Sequence, residues 1–215
     1  MFVVEISDAQ DWANLNRYKL ENQNLGGRKG EVRVVFMGNS ITEAWSIFDS
    51  GFFSGRLYIN RGISGQTTPQ MLVRFRQDVI HLKPAVVVIL AGTNDIAGKT
   101  GPSTLEMIID NIVSMAELAE CNGIKVVLSS VLPAIDYPWK PGLYPADKIA
   151  ALNEMIKLYA KTKGFVYLDY YSSMVDDKKG LKSMYTYDGV HPNKAGYKLM
   201  EPLAEEAIAK ALNMK

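Results

Sequence analysis

The sequence predicts a three-layer α/β/α sandwich around a five-stranded parallel sheet, and three observations carry that prediction. Five short runs rich in β-branched residues recur along the chain, and longer amphipathic segments separate them. The runs are apolar without alternation, as strands covered by helices on both faces must be. At 215 residues the chain suits one domain with a well-buried interior and is short for two, so residues 1–215 are read as a single domain.

Each element can be justified in order. A first segment with Trp12 and Leu15 reads as a weak helix, joined to the sheet by "GGRKGE". "VRVVFM" (32–37) is the first strand, and the "ITEAWSIF" that follows it can be helical. "RLYI" (56–59) is the second. Thr68 then serves as an N-cap with Pro69 at the first helical position, and Met71, Leu72, Phe75 and Val79 share one face of the helix they open. "AVVVIL" (85–90) is the third strand. Ser103-Thr104-Leu105-Glu106 has the spacing of a capping box, the stripe Leu105, Ile109, Ile112 and Ala116 follows, and Asn122-Gly123 ends the helix. "KVVLSS" (125–130) and "FVYLD" (165–169) are the last two strands. Between them Ile149, Leu152, Ile156 and Tyr159 form a stripe closed by Gly164. The final helix starts near Asn193, turns Tyr197, Ala204 and Ile208 inward, and is expected to bend at Pro202.

Composition narrows the function. The 24 basic and 23 acidic residues almost cancel, which gives no electrostatic case for a nucleic-acid partner or an anionic membrane surface. Two histidines, His81 and His191, without His-Glu-x-x-His spacing, argue against a histidine-built metal site. Cys121 is the only cysteine, so no intrachain disulfide forms, and its apolar helical surroundings predict a buried, inert thiol. No stretch is long and apolar enough for a membrane span. The opening "MFVVEISDAQDW" reaches acids too soon for a signal peptide. As written the chain reads as cytoplasmic; an exported form whose leader had been removed would look the same, so localisation stays open.

In such sandwiches ligands bind beyond the carboxyl ends of the strands, so the loops there carry the functional information. After the first strand comes "GNSIT", where Ser40 opens a helical segment as either a cap or a nucleophile. After the second, "NRGISGQTTP" offers Gly62 and Gly65 as turn residues or as points where a backbone N–H approaches a ligand. After the third, "AGTNDIAGKTG" hints at a P-loop, but the glycine required five residues before Gly98 is Thr93, and Lys99-Thr100 runs into Gly101-Pro102 rather than a helix. Asn94 on that loop brings a side-chain amide to the mouth of the sheet. In "TYDGVHPNKAG", after the fifth, Asp188 precedes His191 by three residues, close enough to fix the imidazole tautomer and leave one ring nitrogen free. His81, by contrast, lies near a helix C-terminus where a surface role suffices.

Together these loops supply one reaction. Ester hydrolysis needs an activated hydroxyl, a base, an orienting carboxylate and donors for the oxyanion. Ser40, His191 and Asp188 meet the first three needs, and the Ser40 N–H, Gly62 N–H and Asn94 amide meet the fourth. No cofactor or metal is called for. The blocks "FMGNSIT", "RGISG", "GTND" and "DGVHP" resemble those of the SGNH (GDSL-like) hydrolase family, from about Val32 to His191. The run from "INRGISG" to "GTND" looks most like the branch holding the platelet-activating-factor acetylhydrolase catalytic subunits and bacterial carbohydrate acetylesterases. The resemblance implies a flavodoxin-like SGNH hydrolase fold, Ser40 as nucleophile, Gly62 and Asn94 as oxyanion donors, and Asp188 and His191 as the rest of a triad. The family's usual acid before the serine is here Asn39, which keeps a hydrogen-bonding role but brings no charge.

The expected function is therefore a serine esterase that cleaves short-chain, acetyl, carboxylic esters through an acyl-Ser40 intermediate, its substrate a small-molecule ester such as an acetylated sugar. Residues 132–148 form a proline-rich loop expected to expose Tyr137, Trp139 and Tyr144, either as a platform for sugar rings or as a lid packed on its own aromatics; with Asn39 they are the candidate substrate contacts. Lysophospholipid or acyl-thioester cleavage is the alternative within the enzyme class, and a non-catalytic small-ligand module the alternative outside it. Acyl-chain length, the alcohol part of the substrate and oligomeric state stay open.

Overall fold

The computed structural model describes residues 11–25 and 32–214. The expected absence of a signal peptide at the N-terminus and the "GGRKGE" connection rest largely on residues outside that range. The strands are β1 (Val34–Gly38), β2 (Tyr58–Gly62), β3 (Val86–Leu90), β4 (Lys125–Ser129) and β5 (Val166–Leu168). The helices are α1 (Lys19–Asn24), α2 (Ser40–Phe48), α3 (Ser50–Phe53), α4 (Thr68–Asp78), α5 (Thr93–Ile96), α6 (Leu105–Cys121), α7 (Ala146–Lys163), α8 (Tyr170–Met174) and α9 (Lys194–Asn213). All strand pairs are parallel, in the order β2-β1-β3-β4-β5.

Every residue of β1 and β3 is buried, because the pleat sends alternate side chains into two cores. Val35, Met37, Val87 and Ile89 pack against Met71 and Phe75 of α4, Ile108 and Ile112 of α6, and Leu152 of α7. Val34, Phe36, Val86 and Val88 face the other way, onto Ile41 and Trp45 of α2 and Tyr197, Ala204 and Ile208 of α9. Within this second layer α9 is tied to α2, as the Tyr197 hydroxyl donates to the Ile41 carbonyl at 2.8 Å. The α7 stripe and its left-handed Gly164 cap (φ 70°) lie where the periodicity placed them.

Several local expectations shift. The second strand runs three residues further than its apolar run, through Asn60, Arg61 and Gly62, because the Arg61 side chain is buried over the Tyr18 ring and bonded to Glu21 and Asn22. The α4 cap is Thr67, paired with Gln70 in a capping box, so Thr68 is already helical. The α6 cap is Thr104, whose hydroxyl accepts from Met107 N–H at 3.2 Å, so Ser103 and Glu106 do not form the expected box. Trp12 and Leu15 are exposed and lie in turns before α1, held by the Asp11 carboxylate, which accepts from Leu15 and Asn16 N–H. Cys121 is exposed; two residues beyond the buried Ala119, it is carried round to the outer side of the last turn. The α9 helix continues through Pro202.

Candidate active site

The carboxyl ends of β1, β2 and β3 deliver three loops to one rim, and the loop that precedes α9 closes it. At β1, Asn39 is 1% exposed and its Oδ1 accepts from Ile41 N–H at 3.0 Å, capping α2. Burial removes Asn39 from the candidate substrate contacts; its part is to fix the turn that presents Ser40. Ser40 is then the first residue of α2, where the N–H has no intrahelical acceptor and the helix's positive end is nearest.

Across 151 positions of sequence, Ser40 Oγ lies 2.9 Å from His191 Nε2. His191 Nδ1 in turn lies 2.7 Å from Asp188 Oδ2. Because the carboxylate oxygen can only accept, Nδ1 carries the proton and Nε2 is left to accept from the serine hydroxyl. The other carboxylate oxygen accepts from the Val190 and His191 backbone N–H groups at 2.9 and 2.7 Å. Burial works against ionisation of Asp188, but the His191 N–H, the His191 ring and the Val190 N–H together outweigh it and hold the carboxyl below its ordinary pKa. Thr186 braces the same loop, donating its hydroxyl to the His191 carbonyl and accepting from Gly189 N–H.

The facing rim differs from the sequence expectation. Gly62 N–H donates to Asn60 Oδ1 at 2.8 Å, and a Cβ on Gly62 would fall 2.1 Å from the Glu43 backbone nitrogen. Its glycine is explained by the close approach of α2 to β2, and its N–H is not free to meet a ligand. Gly65, three residues on, has a φ of +78° and an N–H with no acceptor among the described residues. Its neighbours hold it in place. Ser64 N–H donates to Glu43 Oε2 at 2.8 Å, and the Gln66 carbonyl accepts from Asn94 Nδ2 at 2.9 Å. That bond uses one of the two amide hydrogens of Asn94, a buried side chain, and leaves the other. Asp95 beside it is no acid for the reaction: burial raises its pKa, and it is bonded to the Thr68 N–H and hydroxyl at the head of α4.

Aromatic rings flank the imidazole. Trp139 is 39% exposed with its ring 5.7 Å from that of His191. Tyr137, expected on the surface, is fully buried and stacks beneath Trp139 at 5.0 Å. The Asp136 carboxylate folds the loop back by accepting from Tyr137, Gly142 and Leu143 N–H. Tyr144 is exposed, with no ring contact to the histidine. Tyr187, which the sequence reading passed over, is 58% exposed and stacks nearly parallel to His191, at 5.8 Å and 12°. Its place next to Asp188 in "TYDGVHP" was the available signal. A groove of about 310 Å³ adjoins Asp188, between Ile135–Pro138, Pro141 and Gly180-Leu181. Another cavity, of about 240 Å³, lies at the opposite end of the sheet beside Lys125 and Phe165, and among the described residues no nucleophile and base meet there.

Residues 36–199 match the model of the GDSL-like Lipase/Acylhydrolase family. The chain belongs to that family. A crystal structure of a candidate acylhydrolase from Bacteroides fragilis is 53% identical, covers 95% of this chain and all of its own, and superposes with a TM-score of 0.93. A GDSL-like lipase from Bacteroides thetaiotaomicron is 51% identical over 93% of this chain and 98% of its own, with a TM-score of 0.90. An acetylxylan esterase from Xylanibacter ruminicola is 27% identical over 84% of this chain. The chain spans only 37% and 44% of the length of the first two curated relatives it matches. A more distant structure from a streptococcus, described by the name platelet activating factor, shares the fold at a TM-score of 0.74.

Proposed function

We propose that this member of the GDSL-like family is a serine esterase whose nucleophile is Ser40. The single observation that supports this is the unbroken chain Ser40 Oγ–His191 Nε2–Asp188, at 2.9 and 2.7 Å, assembled from opposite ends of the sequence. His191 takes the hydroxyl proton as Oγ attacks the acyl carbonyl, gives it to the departing alcohol, and later activates water against the acyl-enzyme. The oxyanion is received by the Ser40 N–H, the second amide hydrogen of Asn94 and the Gly65 N–H, which takes the part expected of Gly62. Each such donor, preorganised, is worth about 2.7–4 kcal/mol in the transition state. Asp188, held ionised, fixes the tautomer and balances the imidazolium.

The substrate in this reading is a short acyl, acetyl, ester of a carbohydrate. Trp139 and Tyr187 lie beside His191 and are partly exposed, so each can offer aromatic surface to a sugar although Tyr187 also stacks on Phe48 and Trp139 on Tyr137, and the groove beside Asp188 has room for the alcohol part. The similarity to an acetylxylan esterase supports the same class. Two experiments test the reading. Ser40→Ala is expected to lower turnover of p-nitrophenyl acetate by roughly 10⁴-fold or more with folding intact; a variant as active as the parent ends the proposal. A panel of acetylated xylo-oligosaccharides, p-nitrophenyl esters of rising chain length and lysophospholipids is expected to give its highest kcat/KM on acetylated sugars. A preference for long acyl chains selects lysophospholipid cleavage instead.

A further inference from the structure

Arg74 of α4 is wholly buried, yet only one of its four hydrogen bonds is needed to balance its charge. Nη1 donates to Asp78 Oδ2 at 3.0 Å, an ion pair with both side chains inaccessible. The remaining bonds go elsewhere. Nη2 donates to the Gly38 carbonyl at 3.0 Å and to the Arg61 carbonyl at 2.8 Å. Nε donates to Gln66 Oε1 at 2.5 Å.

These acceptors are the places from which the active-site loops depart. Gly38 ends β1, two residues before Ser40. Arg61 lies at the end of β2, four residues before Gly65. The backbone carbonyl of Gln66 holds the Asn94 amide at 2.9 Å. Gly38 and Gly62 are the last register pair of β1 and β2, and the Gly38 carbonyl also accepts from Ile63 N–H at 3.1 Å. One planar group therefore touches the nucleophile's strand, the strand that feeds Gly65, and the residue that orients Asn94. A guanidinium can do this because its five N–H donors are fixed in a plane; an ammonium offers a single nitrogen and cannot reach all the acceptors at once. An apolar side chain would leave the buried carbonyls short of a partner.

The geometry points to Arg74 as a positioning residue that sets the distance between Ser40 and the oxyanion donors Gly65 N–H and Asn94 amide. The inference rests on the esterase reading above, and it adds a group that touches no substrate. A serine-directed fluorophosphonate counts competent sites, so kcat can be given per titrated site. Arg74→Lys keeps a cation opposite Asp78 but loses the fork, and is expected to lower kcat per site roughly tenfold to a hundredfold while KM changes less than about threefold. Asp78→Asn is the structural control. It breaks the ion pair and leaves the three other bonds, so it is expected to lower the melting temperature without lowering kcat per site. Arg74→Lys turning over at the parent's kcat per site overturns the inference, and so does Asp78→Asn matching the loss in Arg74→Lys.

Should Arg74→Lys fail to fold, Gln66→Met carries the same test, with kcat expected to fall about tenfold and an unchanged kcat counting against it. A second readout is independent of turnover. The Asn94 side-chain amide resonances, identified by their absence in Asn94→Asp, are expected to shift in Arg74→Lys or Gln66→Met and to stay in place in Asp78→Asn. Unmoved resonances in all three overturn the inference. If the parent protein neither labels nor hydrolyses esters, the esterase reading fails, while the resonances still report on Arg74.

Discussion

Asp188 and His191 sit on a loop that braces itself. The carboxylate accepts from the two residues that follow it, and Thr186 ties both ends of the turn. Across the site, residues 60–66 have little such closure of their own. Gln66 leans on Arg74 and on the Ala13 carbonyl, Ser64 on Glu43, and the Gln66 carbonyl on Asn94. His191 and Asp188 are set by contacts two to five residues apart in sequence, and the facing rim by contacts from eight to 53 residues apart. The first is held mainly by its own residues; the second can be disturbed from α4.

The largest expected effect is on the self-braced side. Asp188→Asn places a donor or a poor acceptor opposite Nδ1 and frees the wrong tautomer, and kcat is expected to fall roughly 10³–10⁴-fold, read on p-nitrophenyl acetate. The same substitution has a stability signature. Because the folded carboxyl is held below its ordinary pKa, its contribution is complete above the unfolded value of about 3.9 and is lost only as pH falls through the lowered folded value. Melting curves from neutral pH into the acid range are expected to lose this component in Asp188→Asn.

On the facing rim, Asn94→Ala is expected to lower kcat by roughly 10²–10³-fold with little change in KM; a KM effect alone would make Asn94 a substrate-binding group. The two glycines separate the rim's packing from its chemistry. Gly62→Ala drives a methyl group into the α2 backbone and is expected to cost about 1–3 kcal/mol of stability without loss of kcat per titrated site. Gly65→Ala strains a left-handed residue by about 1–2 kcal/mol and is expected to lower kcat roughly tenfold. The reverse pattern would return the donor role to Gly62. The smallest effects belong to the rings. Trp139→Ala and Tyr187→Ala are each expected to raise KM for acetylated oligosaccharides by roughly threefold to tenfold and to leave p-nitrophenyl acetate almost unaffected, in keeping with about 1 kcal/mol per aromatic contact.

The same contrast governs what could be read from the residues. β1 and β3 were legible because burial on both faces removes polar letters from the strand. β2 was legible only in part, since Asn60 and Arg61 are polar residues whose partners in α1 and α2 cannot be seen from the run itself. Asp188 and His191 are legible as a spacing. The choice of Gly62 over Gly65 had no support in the residues alone, because it depends on where the Asn60 side chain turns and how near α2 comes. Tyr137 was misplaced for a like reason: the Asp136 carboxylate folds the loop so that one ring lies beneath another. The caps lie one residue from where the sequence placed them, at Thr67 and Thr104, and Cys121 falls on the outer side of a helix whose inner stripe is buried.

In the proposed mechanism the hydroxyl of Ser40 is the atom that becomes acylated. The direct measurement is mass mapping of peptides after brief exposure to a serine-directed fluorophosphonate, with the His191→Ala variant treated alongside. One adduct is expected, on the peptide carrying Ser40, formed far more slowly in the variant. An unlabelled parent, or an adduct on any other residue, would contradict that mechanism.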